Sequence, residues 1–125
     1  MKKGLAILLW SASPARPHLC SAPFFHAAAA AAMGATVEMY FSSESVELLR
    51  AGVAGELPAG PLERETVQHF MRHAVDQGAK FFACPQAMQE RRLAKSELIE
   101  DVTDIAGAAA FAARALEDDW ATLVY

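Results

Sequence analysis

The chain has 125 residues, a mass of 13.4 kDa and a net charge of −4 from 11 basic and 15 acidic side chains. That length is one domain, and the acid excess argues against a nucleic-acid binder, which would show a basic face. A hydrophobic fraction of 54% and a mean hydropathy of +0.16 exclude general disorder. A chain this size buries roughly two-thirds of its unfolded surface, so its core needs no disulfide or metal. Apolar content this high on a small chain implies surface covered by another subunit.

Alanine supplies much of that content, at 27 residues. No apolar run approaches the roughly 18 residues of a membrane span. Residues 4–10 are a continuous apolar run of strand length. Met1-Lys2-Lys3, then Leu5 to Trp10, then Ser11-Ala12-Ser13 also imitate a signal peptide. The short apolar core and the placement of Trp10 favour a buried first strand and a cytoplasmic protein. A loop over 11–21 holds Pro14 and Pro17 as breakers.

Pro23 falls in the first turn of a predicted helix that runs through Phe24, Phe25 and six alanines to Met33, with Gly34 as its stop. Thr36 to Phe41 is a β-rich second strand, and Ser42 or Ser43 caps a short helix over 44–50. Three Gly and two Pro in residues 52–61 predict a mobile loop without regular structure, placed to gate access to a site. Residues 62–77 form an amphipathic helix with Val67, Phe70, Met71, Ala74 and Val75 on one face, closed by Gly78. Residues 80–84 are a third strand, 85–93 a helix, 98–102 a segment that reads equally as a short strand, 104–117 an Ala-rich helix and 120–125 a closing strand. Strands alternating with helices predict an α/β three-layer sandwich: a mostly parallel sheet of 4–5 strands, doubly wound through right-handed crossovers.

In such a sheet, ligands gather at the carboxyl ends of the strands. Cys84 ends the third strand and precedes Pro85. The residue before proline is pushed out of the α region, and proline suits the first helical position, so Cys84 is expected at a helix N-cap. Backbone N–H groups and the positive dipole end stabilise an anion there, and a thiol so placed is expected to ionise below its free pKa of about 8.5. Arg91 and Arg92 would add positive potential if they folded back toward it. The plainer reading is a small buried residue at a strand end.

Cys20, in the loop after the first strand, would be a resolving thiol if that strand neighboured the third; otherwise it is a loop thiol without a role. No CxxC or metal-ligand spacing joins the two cysteines. Glu65, His69 and His73 recur every four residues, a spacing able to hold a metal, but they lie opposite the apolar stripe and read as a solvated face. His18 and His26 flank Cys20, and His26 is a candidate base. No Gly-rich phosphate loop follows the first strand and no GxSxG elbow exists, so nucleotide binding and serine hydrolysis are disfavoured. The residues call for no cofactor and no metal.

The pattern as a whole resembles the DsrE/DsrF-like family, which includes TusD- and YchN-type sulfur-relay proteins. The resemblance spans nearly the whole chain: the first strand, Met33-Gly34-Ala35 after the first helix, the strand to Phe41, Gly78-Ala79-Lys80-Phe81-Phe82-Ala83-Cys84, and the Ala-rich helix before Trp120-Ala121-Thr122-Leu123-Val124-Tyr125. It implies a flavodoxin-like fold, assembly into trimers or hexamers, and a persulfide carried on Cys84. It also implies a small TusA-like sulfur carrier or a rhodanese-like donor as partner. Pro85 after the cysteine and the Pro-rich loop with Cys20 are less typical of the family. The expected function is a sulfur carrier or sulfurtransferase that accepts sulfane sulfur on Cys84 and passes it to a partner thiol. The alternatives are a non-catalytic oligomeric assembly module, or a thiol redox protein using Cys20 and Cys84.

Overall fold

The computed structural model describes residues 1–60 and 64–125. Five strands, β1 (Gly4–Leu9), β2 (Thr36–Phe41), β3 (Lys80–Ala83), β4 (Val102–Ile105) and β5 (Trp120–Val124), form one sheet in the order β4-β3-β2-β1-β5. Every pairing is parallel. Four α-helices connect them: α1 (Ser21–Ala32), α2 (Val67–Asp76), α3 (Pro85–Glu90) and α4 (Ala108–Ala115). The α/β sandwich expected from the alternation is therefore present, with all five strands parallel.

Crossover handedness explains the layers. The chain steps from β1 to β2 to β3 to β4 in one direction across the sheet, so right-handed connections place α1, α2 and α3 on one face. From β4 it must return past the whole sheet to β5, beside β1. The same handedness then puts α4 on the opposite face. The side chains agree. Ile7, Leu9, Met39, Phe41 and Phe81 point into a large core shared with Phe24 of α1, Met71 of α2 and Met88 of α3. Alternate positions on the same strands, Ala6, Tyr40 and Phe82, join Trp120 and Phe111 of α4 in a smaller cluster.

The second face holds a buried carboxylate. Glu38 of β2 accepts two hydrogen bonds from Arg114 of α4, at 2.8 and 3.0 Å, and one from the Tyr40 hydroxyl at 2.7 Å. The Arg114 guanidinium also lies 4.1 Å from the centre of the Trp120 ring. Burial pushes the Glu38 carboxyl up, but hydrogen bonds from Arg114 and Tyr40 with the nearby Arg114 and Lys80 charges outweigh it and hold it below the usual range. This network ties α4 to the sheet where alanines alone would give little grip.

Several boundaries differ from the sequence reading. The helix expected over 62–77 runs Val67–Asp76, and residues 61–63 lie outside the described residues. Pro58 and Thr66 form an isolated antiparallel bridge just before this helix. The short helix after Ser42 is a 3-10 helix, Ser43–Leu49, and residues 52–61 include a further 3-10 turn, Ala54–Glu56, where no regular structure was expected. The helix after Cys84 stops at Glu90 instead of Leu93, because Arg92 adopts a left-handed backbone with φ of 51°. The fourth strand is Val102–Ile105, so the expected helix over 104–117 begins only at Ala108. The β1 strand neighbours β2 and β5, not β3, which removes the adjacency that would have brought Cys20 toward Cys84.

Candidate functional site

Neighbouring strands whose outgoing chains diverge to opposite faces leave a crevice at their carboxyl ends. Only β3 and β4 do so here: β3 leads into α3 on the first face, β4 into α4 on the second. Cys84 lies at that point. Its amide continues the sheet by donating to the Phe41 carbonyl at 3.0 Å, and its carbonyl accepts from Met88 at 3.0 Å in the first turn of α3. The sequence-expected N-cap position is thus the observed one, with φ −69° and ψ 121°.

The facing strand is organised in the same way. The Ala106 amide donates to the Ala83 carbonyl at 3.0 Å, and Gly107 caps α4, its carbonyl accepting from Phe111 at 3.0 Å. A β-carbon on Gly107 would lie 3.2 Å from the Cys84 sulfur and 3.1 Å from Pro85 Cδ. The absence of a side chain there lets the α4 N-terminus approach the thiol. Cys84 is half-buried and free, and it opens onto a cavity of about 370 Å³. Leu8, Tyr40 and Phe111 form apolar walls, with Ser42, Gln86 and Glu90 among the polar lining residues. The rings of Tyr40 and Phe111 meet edge to face at 5.7 Å.

The other candidates are elsewhere. Cys20 is fully buried in the core on the α1 face, and its sulfur donates weakly to the Ser13 and Arg16 carbonyls at 3.4 and 3.5 Å. Burial pushes its thiol pKa up to about 11. The Cys84 cavity is lined by Leu8 and Tyr40 on the α4 face, and Cys20 is not among its lining residues. Arg91 and Arg92 follow the C-terminal end of α3, about 10–12 Å from Cys84 at the helical rise, and neither lines the cavity. The Arg91 carbonyl instead accepts from Arg50 at 3.2 Å.

His26, on α1, pairs with the Tyr125 hydroxyl rather than approaching Cys84. His18 is exposed in a 3-10 turn. Glu65 and His69 form an exposed pair at 3.4 Å, and no group of three or more metal-binding side chains occurs among the described residues. No residue of 52–60 lines the cavity. Sequence reasoning missed Tyr40, Gly107 and Phe111. Gly107 before an alanine run was the one available signal, as a helix start placed three residues later than Asp104.

A small doubly wound α/β domain with a thiol at its topological switch point is the class these features define. The DsrE/DsrF-like family model matches residues 5–124, and the chain belongs to that family. Among solved structures, it is similar to the protein of unknown function MTH1491 from Methanobacterium thermoautotrophicum. The identity is 16%, with 97% of each chain covered and a TM-score of 0.68. It is also similar to the ychN protein from E. coli, at 18% identity over 100% of both chains with a TM-score of 0.60. No curated protein sequence matches. No helix among the described residues is long and apolar enough to cross a membrane.

Proposed function

We propose that this protein is a sulfur carrier: Cys84 accepts sulfane sulfur as a persulfide and passes it to a partner thiol. The observation that carries the reading is Cys84 at the β3–β4 divergence, free, half-buried and open to a cavity. Membership of the DsrE/DsrF-like family supports it. The Cys84 thiolate attacks the outer sulfur of a donor persulfide. A sulfur–sulfur bond forms as the donor's breaks, and the electron pair leaves on the donor thiolate, so nothing is oxidised or reduced overall. Cys84 is the N-cap of α3 and lies against Gly107, the N-cap of α4, so the positive end of the helix dipole would favour negative charge on the sulfur. A partner thiolate then takes the outer sulfur by the same displacement. We infer a TusA-like carrier or a rhodanese-like protein as the exchange partner, in the cytoplasm.

We further propose that the working unit is a homo-oligomer, a trimer or hexamer. Helix α4 buries no residue fully, and Leu116 and Val124 beside it are 84% and 57% exposed. Apolar side chains so exposed are what a subunit interface covers.

The test is mass spectrometry after incubation with inorganic polysulfide. The expected result is one added sulfur on the wild type and on Cys20→Ser, and none on Cys84→Ser. Sulfur found on Cys20 alone would overturn the assignment. The same wild-type sample, examined by light scattering, reads the subunit number, and a monomer at all concentrations refutes the assembly.

A further inference from the structure

The cavity is far larger than a transferred sulfur requires. One sulfur atom needs about the space of a water molecule, on the order of 30 Å³, whereas the cavity measures about 370 Å³. That volume lies in the range of small-ligand sites, about 300–1,000 Å³. The remainder is room for whatever group brings the sulfur, and the walls state its chemistry.

Leu8, Ala87, Ala108 and Phe111 present hydrocarbon. Tyr40 contributes its ring only, because its hydroxyl is committed to Glu38 at 2.7 Å. The Ser42 hydroxyl donates to the Leu9 carbonyl at 2.9 Å, and the remaining polar lining residues, Ser43 and Gln86, are uncharged. No Lys, Arg or His lines the cavity among the described residues, and the charged lining residue is an acid, Glu90. A dianion such as thiosulfate would lose water, meet a carboxylate and find no cation. Its leaving group, sulfite, would depart through the same walls.

Resting on the sulfur-carrier reading, with the protein partner as the acceptor, we propose that the cavity holds the organic tail of the donor, and that the donor is a small persulfide with an uncharged, apolar tail rather than an inorganic anion. The step is R–S–SH plus Cys84 thiolate giving Cys84–S–SH plus R–S⁻. The attacked outer sulfur keeps its proton, and the electron pair of the broken bond leaves on the tail's sulfur. The apolar walls hold the tail in line with Cys84 and release it as a thiolate toward the open mouth.

The experiment loads the full-length protein from three donors: hexyl hydropersulfide generated in solution, thiosulfate, and inorganic polysulfide. Mass spectrometry follows sulfur addition at Cys84. Each rate is divided by that of the same donor with N-acetylcysteine, which removes intrinsic reactivity. The hexyl donor is expected to exceed thiosulfate by about tenfold or more, as partial burial of a six-carbon tail implies. Ala108→Phe fills the slot from an exposed helix position and is expected to bring that ratio toward one by slowing the hexyl donor. Glu90→Arg, on the surface of α3, is expected to lower it by quickening thiosulfate. Thiosulfate equal to or faster than the hexyl donor on the wild type overturns this inference and leaves the carrier reading intact. No loading from any donor, polysulfide included, removes the carrier reading and this inference together.

Discussion

Replacing Gly107 with alanine separates the chemistry of the site from the stability of the fold. The added methyl would lie 3.2 Å from the Cys84 sulfur and 3.1 Å from Pro85 Cδ. Unstrained contacts are about 3.5–4.0 Å, so each neighbour must yield by about half an ångström. Overpacking costs about 1–3 kcal/mol in a closed core. The lower end applies because Cys84 borders a cavity and can move into it. Alanine also removes freedom from the unfolded chain, which returns about 0.4–1 kcal/mol. The net loss is therefore below about 1 kcal/mol, a melting shift of roughly 2–5 °C for a chain of this length. The thiol fares worse, because the methyl covers the side of the sulfur that faces α4. Pushing it back costs a reagent about 1.4 kcal/mol, or about tenfold in rate. Iodoacetamide alkylation followed by peptide mass spectrometry gives that rate for Cys84 separately from Cys20. An unchanged Cys84 rate would show that reagents approach from elsewhere. A melting loss beyond about 10 °C would show that the contact is rigid and structural.

Glu38→Gln breaks the pair with Arg114 beneath α4. The two side chains are 9% and 33% exposed, so the buried-pair cost is discounted to about 2–3 kcal/mol, measured by urea unfolding at neutral pH. Because the Glu38 pKa is lower folded than unfolded, its stabilisation is complete above the unfolded value of about 4.3 and is lost as pH falls through the folded one. A pH series of unfolding should show a shallower acid loss in Glu38→Gln, and an identical slope would mean the pair does not titrate. Cys20, with a thiol pKa of about 11, should resist iodoacetamide at neutral pH until denaturant is added; labelling in the native protein would contradict its burial. Gly4→Val places a side chain inside the Trp120 indole and should cost about 3 kcal/mol or more, read as loss of soluble, cooperatively unfolding protein.

Features written in local sequence were legible, and features made by strand order were not. The Cys84–Pro85 junction is local: the steric demand of proline on the residue before it, and its fitness for the first helical turn, place the thiol at an N-cap whatever the rest of the chain does. The apolar stripe of α2 was equally plain, with Val67, Met71 and Ala74 buried as its spacing required. The fourth strand was blurred because Val102-Thr103-Asp104-Ile105 is a short edge strand with two exposed polar residues at its centre. Asp104 looks like a helix cap, yet its carboxylate accepts from the Ile105 amide at 2.8 Å within the strand. The wall of the cavity was invisible because Tyr40, Gly107 and Phe111 come from three distant segments joined only by the order of strands.

That order also explains why the thiol at the end of β3 is the exposed one. Ser42 follows β2 as Cys84 follows β3 and borders the same cavity, but β2 and β3 both send their chains to one face, so the divergence of outgoing chains does not lie between them. The crevice forms one strand further on, because the return from β4 to β5 is the single crossover that must use the other face. Its walls are then fixed by the alternation of the strands, which turns Leu8, Tyr40 and Phe82 to the α4 side while Leu9, Phe41 and Phe81 fill the main core. Moving the cysteine one residue back, to position 83, would turn it into that main core, where Ala83 is fully buried. A Cys84→Ala, Ala83→Cys double variant should therefore still fold, at a cost of about 1–3 kcal/mol for the sulfur added to a closed core. It should accept no sulfur from polysulfide. Loading at position 83 at the wild-type rate would mean that the crevice does not control access to the thiol.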